Sequence, residues 1–401
     1  MATPSIQLIP SAVKAGTVYS ILPTNGIGDF DFTRAGTATK TNKEGLIETV
    51  ATGVPRLDYS DGSGCPSLLL EPQSTNELNN SNGSDFTLTR STRGSQLSKI
   101  GVDGFEYSFT SSNPKISKNY AEITLGYKTL SFFIDSTNSD VFRISLATGG
   151  NGTYGAAVTF TPSTKTFGVM FENTTYVRNS VATYKYFGNN IFKLSLTVEF
   201  ILYNNGTTYT LIDFGSNSNV WIGGLQVEKL PYPTSYIPTS GTTQTRVAET
   251  LGGAGDASSI NSEEGVLYAE ILYKSNDSQW IMLSDGTTSN SVVIELLPNG
   301  NLRGLVKVGN VFQVVFTGTS ITLGNYYKVA LKYKLNDFSF YVNGVKTDTD
   351  TTGNVFVPNT LNNLSGYRFD ANINKLNSSL KDIRVYKTVL TDAELQALTT
   401  Q

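Results

Sequence analysis

At 401 residues the chain is too long for one ordinary core and predicts two or three domains. Its net charge of −3 comes with no basic cluster able to neutralise a row of phosphates, which argues against nucleic-acid binding. It has no histidine, which excludes Ser-His-Asp and Cys-His catalysis and His-based zinc sites, and its lone Cys65 excludes an intrachain disulfide.

Hydrophobic residues make up 39% and charged residues 16%, with the balance in Ser, Thr, Asn and Gly. That composition suits sheet surfaces and turns better than long exposed helices. The N-terminal stretch MATPSIQLIPSAVKAG lacks a basic region followed by a long apolar core. No apolar run approaches the roughly 20 residues needed to cross a bilayer. The expectation is a chain with no recognisable export signal and no membrane insertion.

Residues 1–75 hold short β pieces and loops, FDFTRAGTATKTNKEGLIETVATGVPRLDYS, and lead into SLLLEPQSTNEL (67–78). A first series of strand-like runs follows, from KTLSFFI (128–134) through FRISL, AAVTFTPSTKTFGVMF and NNIFKLSLTVEFILYNNG to VWIGGLQVEK (220–229). In 194–214, two runs joined at Asn205-Gly206 read as a hairpin, because Asn-Gly accepts the positive φ angles of a type I′ turn. The triplet Asn205-Gly206-Thr207 therefore reads as a turn and not as a glycosylation acceptor.

After VWIGGLQVEK the chain runs through Pro231, Pro233 and Pro238, which fix φ and remove backbone donors. It should leave the sheet extended. Tyr232, Tyr236 and Ile237 should pin it back against the protein near SLLLEPQSTN, as a clasp. LGGAGDASSINSEEG (251–265), with its GGAG, reads as the clearest linker, not as a phosphate loop.

A second series runs from GVLYAEI (265–271) through QWIMLS, SVVIELLPNGNLRGLVK and NYYKVALKYKLNDFSFYVNG to SLKDIRVYK (379–387). Hairpins are predicted at Asn299-Gly300 and Asn343-Gly344. The series repeats the order of the first, down to a proline in the corresponding hairpins (Pro162, Pro298), and two successive β-sandwiches explain it best. One helix is predicted, in VLTDAELQALTT. Thr391 caps it, Glu394 closes the capping box, and Leu390 and Leu395 form the staple.

SLLLEPQSTNEL and YPTSYIPTSGTTQTRVAE resemble a pair of segments common in bacteriophage virion proteins, matched here over Leu69–Asn76 and Gly224–Ala248. FTRAGTATKTNKEGLIE and VPRLDY resemble the approach to the first of these segments. SLKDIRVYKTVLTDAELQAL resembles the end of a concanavalin-like (laminin-G-type) lectin domain. The resemblance implies a structural virion protein, a fibre or appendage built of jelly-roll modules of carbohydrate-binding type. Such proteins are usually homotrimers. The fold class expected is then all-β: two successive antiparallel concanavalin-like β-sandwiches (76–250 and 251–401) after an N-terminal β-rich attachment or oligomerisation segment (1–75), with one short C-terminal helix. Its expected partners are copies of itself, other virion proteins through the N-terminal region, and host surface glycans. The expected location is the virion, after assembly in the host cytoplasm.

Sandwich lectins offer aromatic faces to sugar rings and Asp or Asn side chains to hydroxyls. Trp221, in an apolar strand, should be core. Trp280, at a loop-to-strand junction with Asn276, Asp277 and Asp285 nearby, is the carbohydrate-binding candidate, weighed against a role capping the sandwich edge. Asp348 and Asp350 in DTDTTGN offer oxygens for calcium, but they lack the EF-hand pattern and read better as a solvated turn. No cofactor or metal is expected. Glycan hydrolysis needs two facing carboxylates. The opening strands offer only Asp135 and Glu270, so no catalytic residue is assigned and no enzyme is expected. The alternatives are a glycan-cleaving depolymerase on the same scaffold and a free-standing lectin.

Overall fold

The computed structural model describes residues 2–109, 114–120, 124–148, 154–202, 208–214, 219–368 and 371–401. Period-2 alternation of apolar residues dominates these segments, and the chain answers with antiparallel strands throughout. It folds as two units. One comprises Glu44–Glu48 and Gln73–Arg246; the other comprises Met1–Lys43, Thr49–Pro72 and Val247–Gln401.

The unit around 73–246 is a sandwich of two antiparallel sheets. One has the order Ser91–Lys99, Val102–Phe109, Val220–Glu228, Gly126–Asp135, Ile191–Phe200, Val177–Tyr186. The other runs Thr87–Thr89, Lys115–Tyr120, Thr208–Phe214, Phe142–Thr148, Tyr154–Thr161, Thr166–Phe167, with Phe171–Glu172 also paired to Tyr154–Thr161. Leu130, Phe132 and Ile134 project between the sheets and meet Ile144, Leu146, Val158 and Phe160. Fully burying each such side chain contributes about 1.5–3 kcal/mol before chain entropy is counted.

The strands either side of Asn205-Gly206 do not form the expected hairpin. The turn itself lies outside the described residues. Ile191–Phe200 pairs with Gly126–Asp135 and Val177–Tyr186, whereas Thr208–Phe214 pairs with Lys115–Tyr120 and Phe142–Thr148. The strands that end at Phe200 and begin at Thr208 therefore belong to different sheets. Asn-Gly specifies a reversal of direction, not the sheet that the next strand joins.

The second unit is also a sandwich. Its larger sheet runs Val345–Asp350, Phe338–Val342, Tyr326–Lys334, Glu264–Leu272, Ser379–Tyr386, Ser67–Leu69, Arg56–Asp58, with Ile6–Leu8 also on Ser379–Tyr386. The smaller runs Val311–Ser320, Asn301–Val308, Ser291–Leu296, Gln279–Ser284, Asn363–Ser365. Most of residues 1–72 belong to this unit and are not a separate segment. Ile6, Leu8, Phe30, Phe32, Leu68 and Leu70 lie in one core with Leu267, Ile281 and Ile383. GGAG is likewise not a loose linker: Thr250–Gly252 pairs with Phe30–Thr33, and Ala254 bridges to Leu364.

The two sandwiches repeat an arrangement. In each, the opening strand of the series (Gly126–Asp135; Glu264–Leu272) lies between the closing strand (Val220–Glu228; Ser379–Tyr386) and the long strand Ile191–Phe200 or Tyr326–Lys334. The hairpin at Asn343-Gly344 forms with positive φ at both residues, 49° and 81°, a two-residue type I′ loop closed by Val342 and Val345. At Asn299-Gly300 only the glycine has positive φ, 76°. There Pro298 starts a turn closed by Gly300 N–H to Leu297 O at 3.1 Å.

The helix Asp392–Thr399 has Thr391 as its N-cap and a complete capping box with Glu394. Leu390, Leu395 and Leu398 pack on Val266, Tyr268, Ala330, Tyr341 and Tyr386. Phe338, Phe340 and Val342 of the hairpin face the other way, into the intersheet core. No helix among the described residues is long and apolar enough to cross a membrane.

Candidate functional site

Strand Gln279–Ser284 sends Ile281 and Leu283 into the intersheet core, so Trp280 and Met282 stand on the opposite face. The register places Trp280 opposite Glu295, and Glu295 opposite Arg303. The buried Glu295 carboxylate accepts from Ser278 Oγ at 2.7 Å and from Arg303 Nε at 2.8 Å, with Arg303 Nη2 as a further donor. Met282, Val293 and Leu305 form an apolar patch against which the half-buried Trp280 packs. The Arg368 guanidinium lies 5.9 Å from the Trp280 ring centroid. Trp280 N–H donates to Asn374 O at 3.0 Å, while the buried indole Nε1 meets no acceptor among the described residues. An aromatic ring, a fixed carboxylate and two guanidinium groups thus share one sheet face.

The expected set is only partly brought together. Asn276 and Asp277 are exposed in the loop that enters the Trp280 strand. Asn276 Oδ1 accepts from Tyr273 OH at 2.7 Å. The loop is set by buried Gln279, whose amide donates to Ser275 Oγ at 3.0 Å and accepts from Asn377 N–H at 2.8 Å. Asp285 lies at the other end of the strand, about 16 Å along it from Trp280 at ~3.3 Å per residue. It closes the next hairpin by accepting from Thr287 N–H at 2.9 Å and Asn290 Nδ2 at 2.7 Å. Partial burial opposes its charge, but these bonds outweigh it and hold the carboxyl below its ordinary range. Asp285 and Trp280 therefore cannot share one sugar ring. Glu295, Arg303 and Arg368 escaped the sequence reading. Reading the 284–291 hairpin first would have placed Glu295 opposite Trp280.

Trp221 is buried as expected, but on the outer face of its sheet. It packs with Val102, Phe133 and Tyr236 and donates from Nε1 to Leu97 O at 3.1 Å. Asp350 caps a turn, accepting from Thr352 N–H and Oγ1, both at 2.8 Å. No group of three acidic, cysteine or histidine residues able to hold a metal occurs among the described residues. Asp135 pairs with Lys99 Nζ at 2.6 Å. Glu270 lies opposite Asp382 across the sheet. Burial foremost raises the Asp382 pKa, with the Glu270 charge adding to it, but Arg384 holds one Asp382 oxygen through Nε at 2.9 Å and Nη2 at 2.6 Å. Asp382 is thus held in an ion pair with Arg384.

The segments that carry the virion-protein resemblance interlock within each unit. In the unit containing both termini, Glu249 accepts from Arg34 Nη1 at 2.8 Å and Arg56 Nε at 2.9 Å. Glu71 accepts from Arg56 Nη1 at 2.9 Å and Lys274 Nζ at 2.8 Å. Burial works against the Arg56 charge, but the two carboxylates outweigh it and raise its pKa. In the other unit Ser74–Asn76 pairs with Gln244–Arg246. Buried Asn76 donates to Leu225 O and Ile237 O and accepts from Leu78 and Val227 N–H, which uses its full hydrogen-bonding capacity. Tyr236 meets Ser81 Oγ at 2.6 Å and Phe133 edge to face. These contacts hold the Pro/Tyr stretch against residues 76–81, as the clasp reading expects.

Residues 258–396 match the concanavalin A-like lectin/glucanases superfamily. This segment supplies the sandwich strands from Glu264–Leu272 to Ser379–Tyr386 and the start of the helix Asp392–Thr399, but not Ile6–Leu8, Arg56–Asp58 or Ser67–Leu69 of the same sheet. No curated protein sequence matches the chain at a significant level. Solved structures similar to it include the CBM40 module of the Ruminococcus gnavus IT-sialidase bound to α2,3 sialyllactose, at 18% identity over 35% of this chain and 84% of that one, TM-score 0.32. Domain 4 of an extracellular arabinanase from Geobacillus stearothermophilus, in complex with arabinotriose, is 14% identical over 42% of this chain and 82% of that one, TM-score 0.30. A Caenorhabditis elegans galectin is 13% identical over 31% and 83%, TM-score 0.23.

Proposed function

We propose that this protein is a structural component of a bacteriophage virion, of fibre or appendage type. It assembles as a homotrimer and holds host surface glycans weakly, without cleaving them. The observation that carries the virion reading is the interlocking of the resembling segments. Arg34, Arg56 and Glu71 come from three separate stretches of that resemblance, Glu249 directly follows the matched Gly224–Ala248, and the four form one buried network. Residues that must fold together are a stronger match than scattered motifs.

The glycan reading rests on the concanavalin A-like segment and on the Trp280, Glu295, Arg303 row, where a ring face adjoins fixed polar groups. Single sites of this kind are weak, and several copies on one particle would compensate through avidity. The deciding experiment is mass spectrometry and antibody-labelled electron microscopy of purified particles. Copies on the particle are expected, and absence from particles overturns the virion assignment.

A further inference from the structure

The 73–246 sandwich also holds a cleft, in the other unit from Trp280. Loops 136–141, 162–165 and 187–190 border it, and it encloses about 290 Å³. That is near the lower end for small-molecule sites, about 300–1,000 Å³, and matches one ring better than an extended chain. Buried Phe192 and exposed Tyr186 supply its aromatic lining, their ring centroids 4.9 Å apart.

Polar groups surround that lining. The exposed Asp140 carboxylate is held by Ser163 N–H at 2.8 Å and Ser163 Oγ at 2.6 Å, and these bonds keep it ionised. Asn190 has φ +59° and donates from Nδ2 to Thr137 Oγ1 at 3.4 Å. Lys165 has φ +55°, and its Nζ lies 4.4 Å from the Tyr186 ring centroid. The loops are tied by backbone bonds: Ser136 N–H to Asn190 O at 2.9 Å, Ile191 N–H to Gly188 O at 2.8 Å, and Lys165 N–H to Pro162 O at 3.2 Å. A site already ordered loses little entropy when it binds.

The chemistry selects a ligand class. A wholly apolar ligand would strip water from Asp140 and Asn190 and return no hydrogen bond. A phosphate would meet the Asp140 charge. A pyranose has a C–H face for an aromatic ring and hydroxyls that can donate to a carboxylate and exchange hydrogen bonds with a carboxamide. We propose that this cleft binds a single pyranose ring, its C–H face on Tyr186 and its hydroxyls on Asp140 and Asn190, with the exposed Lys165 side chain moving off the ring to admit it. This second site goes beyond the surface at Trp280 and is independent of it.

The test is saturation-transfer NMR on the full chain with glucose, galactose, mannose and N-acetylglucosamine as probes. Transfer to the ring protons of at least one probe is expected. It should be lost in Tyr186→Ala, reduced in Asp140→Asn, and retained in Trp280→Ala. Tyr186 is exposed, so its variant should fold, and Asp140→Asn provides a nearly isosteric second check. Transfer to none of the four probes, or transfer that survives Tyr186→Ala, overturns the proposal. Loss in Trp280→Ala alone assigns the ligand to the other surface, and the cleft proposal then falls while the earlier glycan reading stands.

Discussion

Arg56 grips Glu249 through two parallel hydrogen bonds, Nε to Oε1 at 2.9 Å and Nη2 to Oε2, and neither side chain reaches solvent. Such a fork is worth most when whole. Removing the carboxylate takes from buried Arg34 and Arg56 the negative charge that both contact. Glu249→Ala should cost about 3–5 kcal/mol, the usual result of breaking a buried pair from one side. Urea unfolding monitored in the unit that holds Arg56 measures it, and a loss below about 1 kcal/mol would show the network to be dispensable.

Asn76 is the neutral counterpart of that fork in the other unit. Asn76→Ala strands Leu225 O, Ile237 O and Val227 N–H in a dry environment. Each unmet group costs about 1–3 kcal/mol, so a total of at least about 3 kcal/mol is expected. Hydrogen exchange of the Val227 amide should accelerate in the same variant.

Tyr236 makes the clasp sensitive to alkali. Burial pushes its phenol up from 10.0 to about 12, against the opposing bond from Ser81. A group whose folded pKa is raised stabilises fully below its unfolded pKa, so its contribution is complete below about pH 10. It disappears as pH rises through about 12. Burial also raises the phenols of Tyr268, Tyr333 and Tyr341, so ultraviolet difference titration should show one fewer late phenol in Tyr236→Phe than in the wild type. That variant, lacking the Ser81 bond, should be about 1 kcal/mol less stable at neutral pH. Titration of every tyrosine near pH 10 would contradict the burial.

Truncating Trp280 should weaken attachment to host-cell surface polysaccharide at least tenfold, about 1.4 kcal/mol, with little effect on folding. Surface plasmon resonance on immobilised polysaccharide reads both the wild type and Trp280→Ala. Equal binding removes this surface from the proposal.

In solution the particle mass should be three times 43.4 kDa by light scattering, as the trimer reading requires. A mass of one chain overturns it.

The features legible in the sequence were local ones. Thr391 and Glu394 lie three positions apart and specify the helix start by themselves, and Asn343-Gly344 specifies its own turn. The prolines of the clasp act at short range, whereas its contacts join Tyr236 to Ser81 and Ile237 to Asn76, 155 and 161 positions apart. What escaped depends on pairing between distant residues. Ser5 bonds to Val385 across 380 positions, so nothing near the N-terminus announces which sheet it extends. The change of sheet between the strands that end at Phe200 and begin at Thr208 was hidden for the same reason. The partners of Trp280 followed from a hairpin register that only the pairing reveals, and Asp285 proved to be that hairpin's own closure.

The unit built from both termini has a consequence for synthesis. Its sheet takes Ile6–Leu8 beside Ser379–Tyr386, so the nascent chain cannot finish it until Ser379–Tyr386 has been made. The 73–246 sandwich is almost continuous and can close on the ribosome while its host unit waits. Domains emerging during translation fold as they appear. A premature stop before Ser379 would then leave a sound inner sandwich carried by two unpaired, apolar flanks. Such a product would be prone to aggregate rather than function in part.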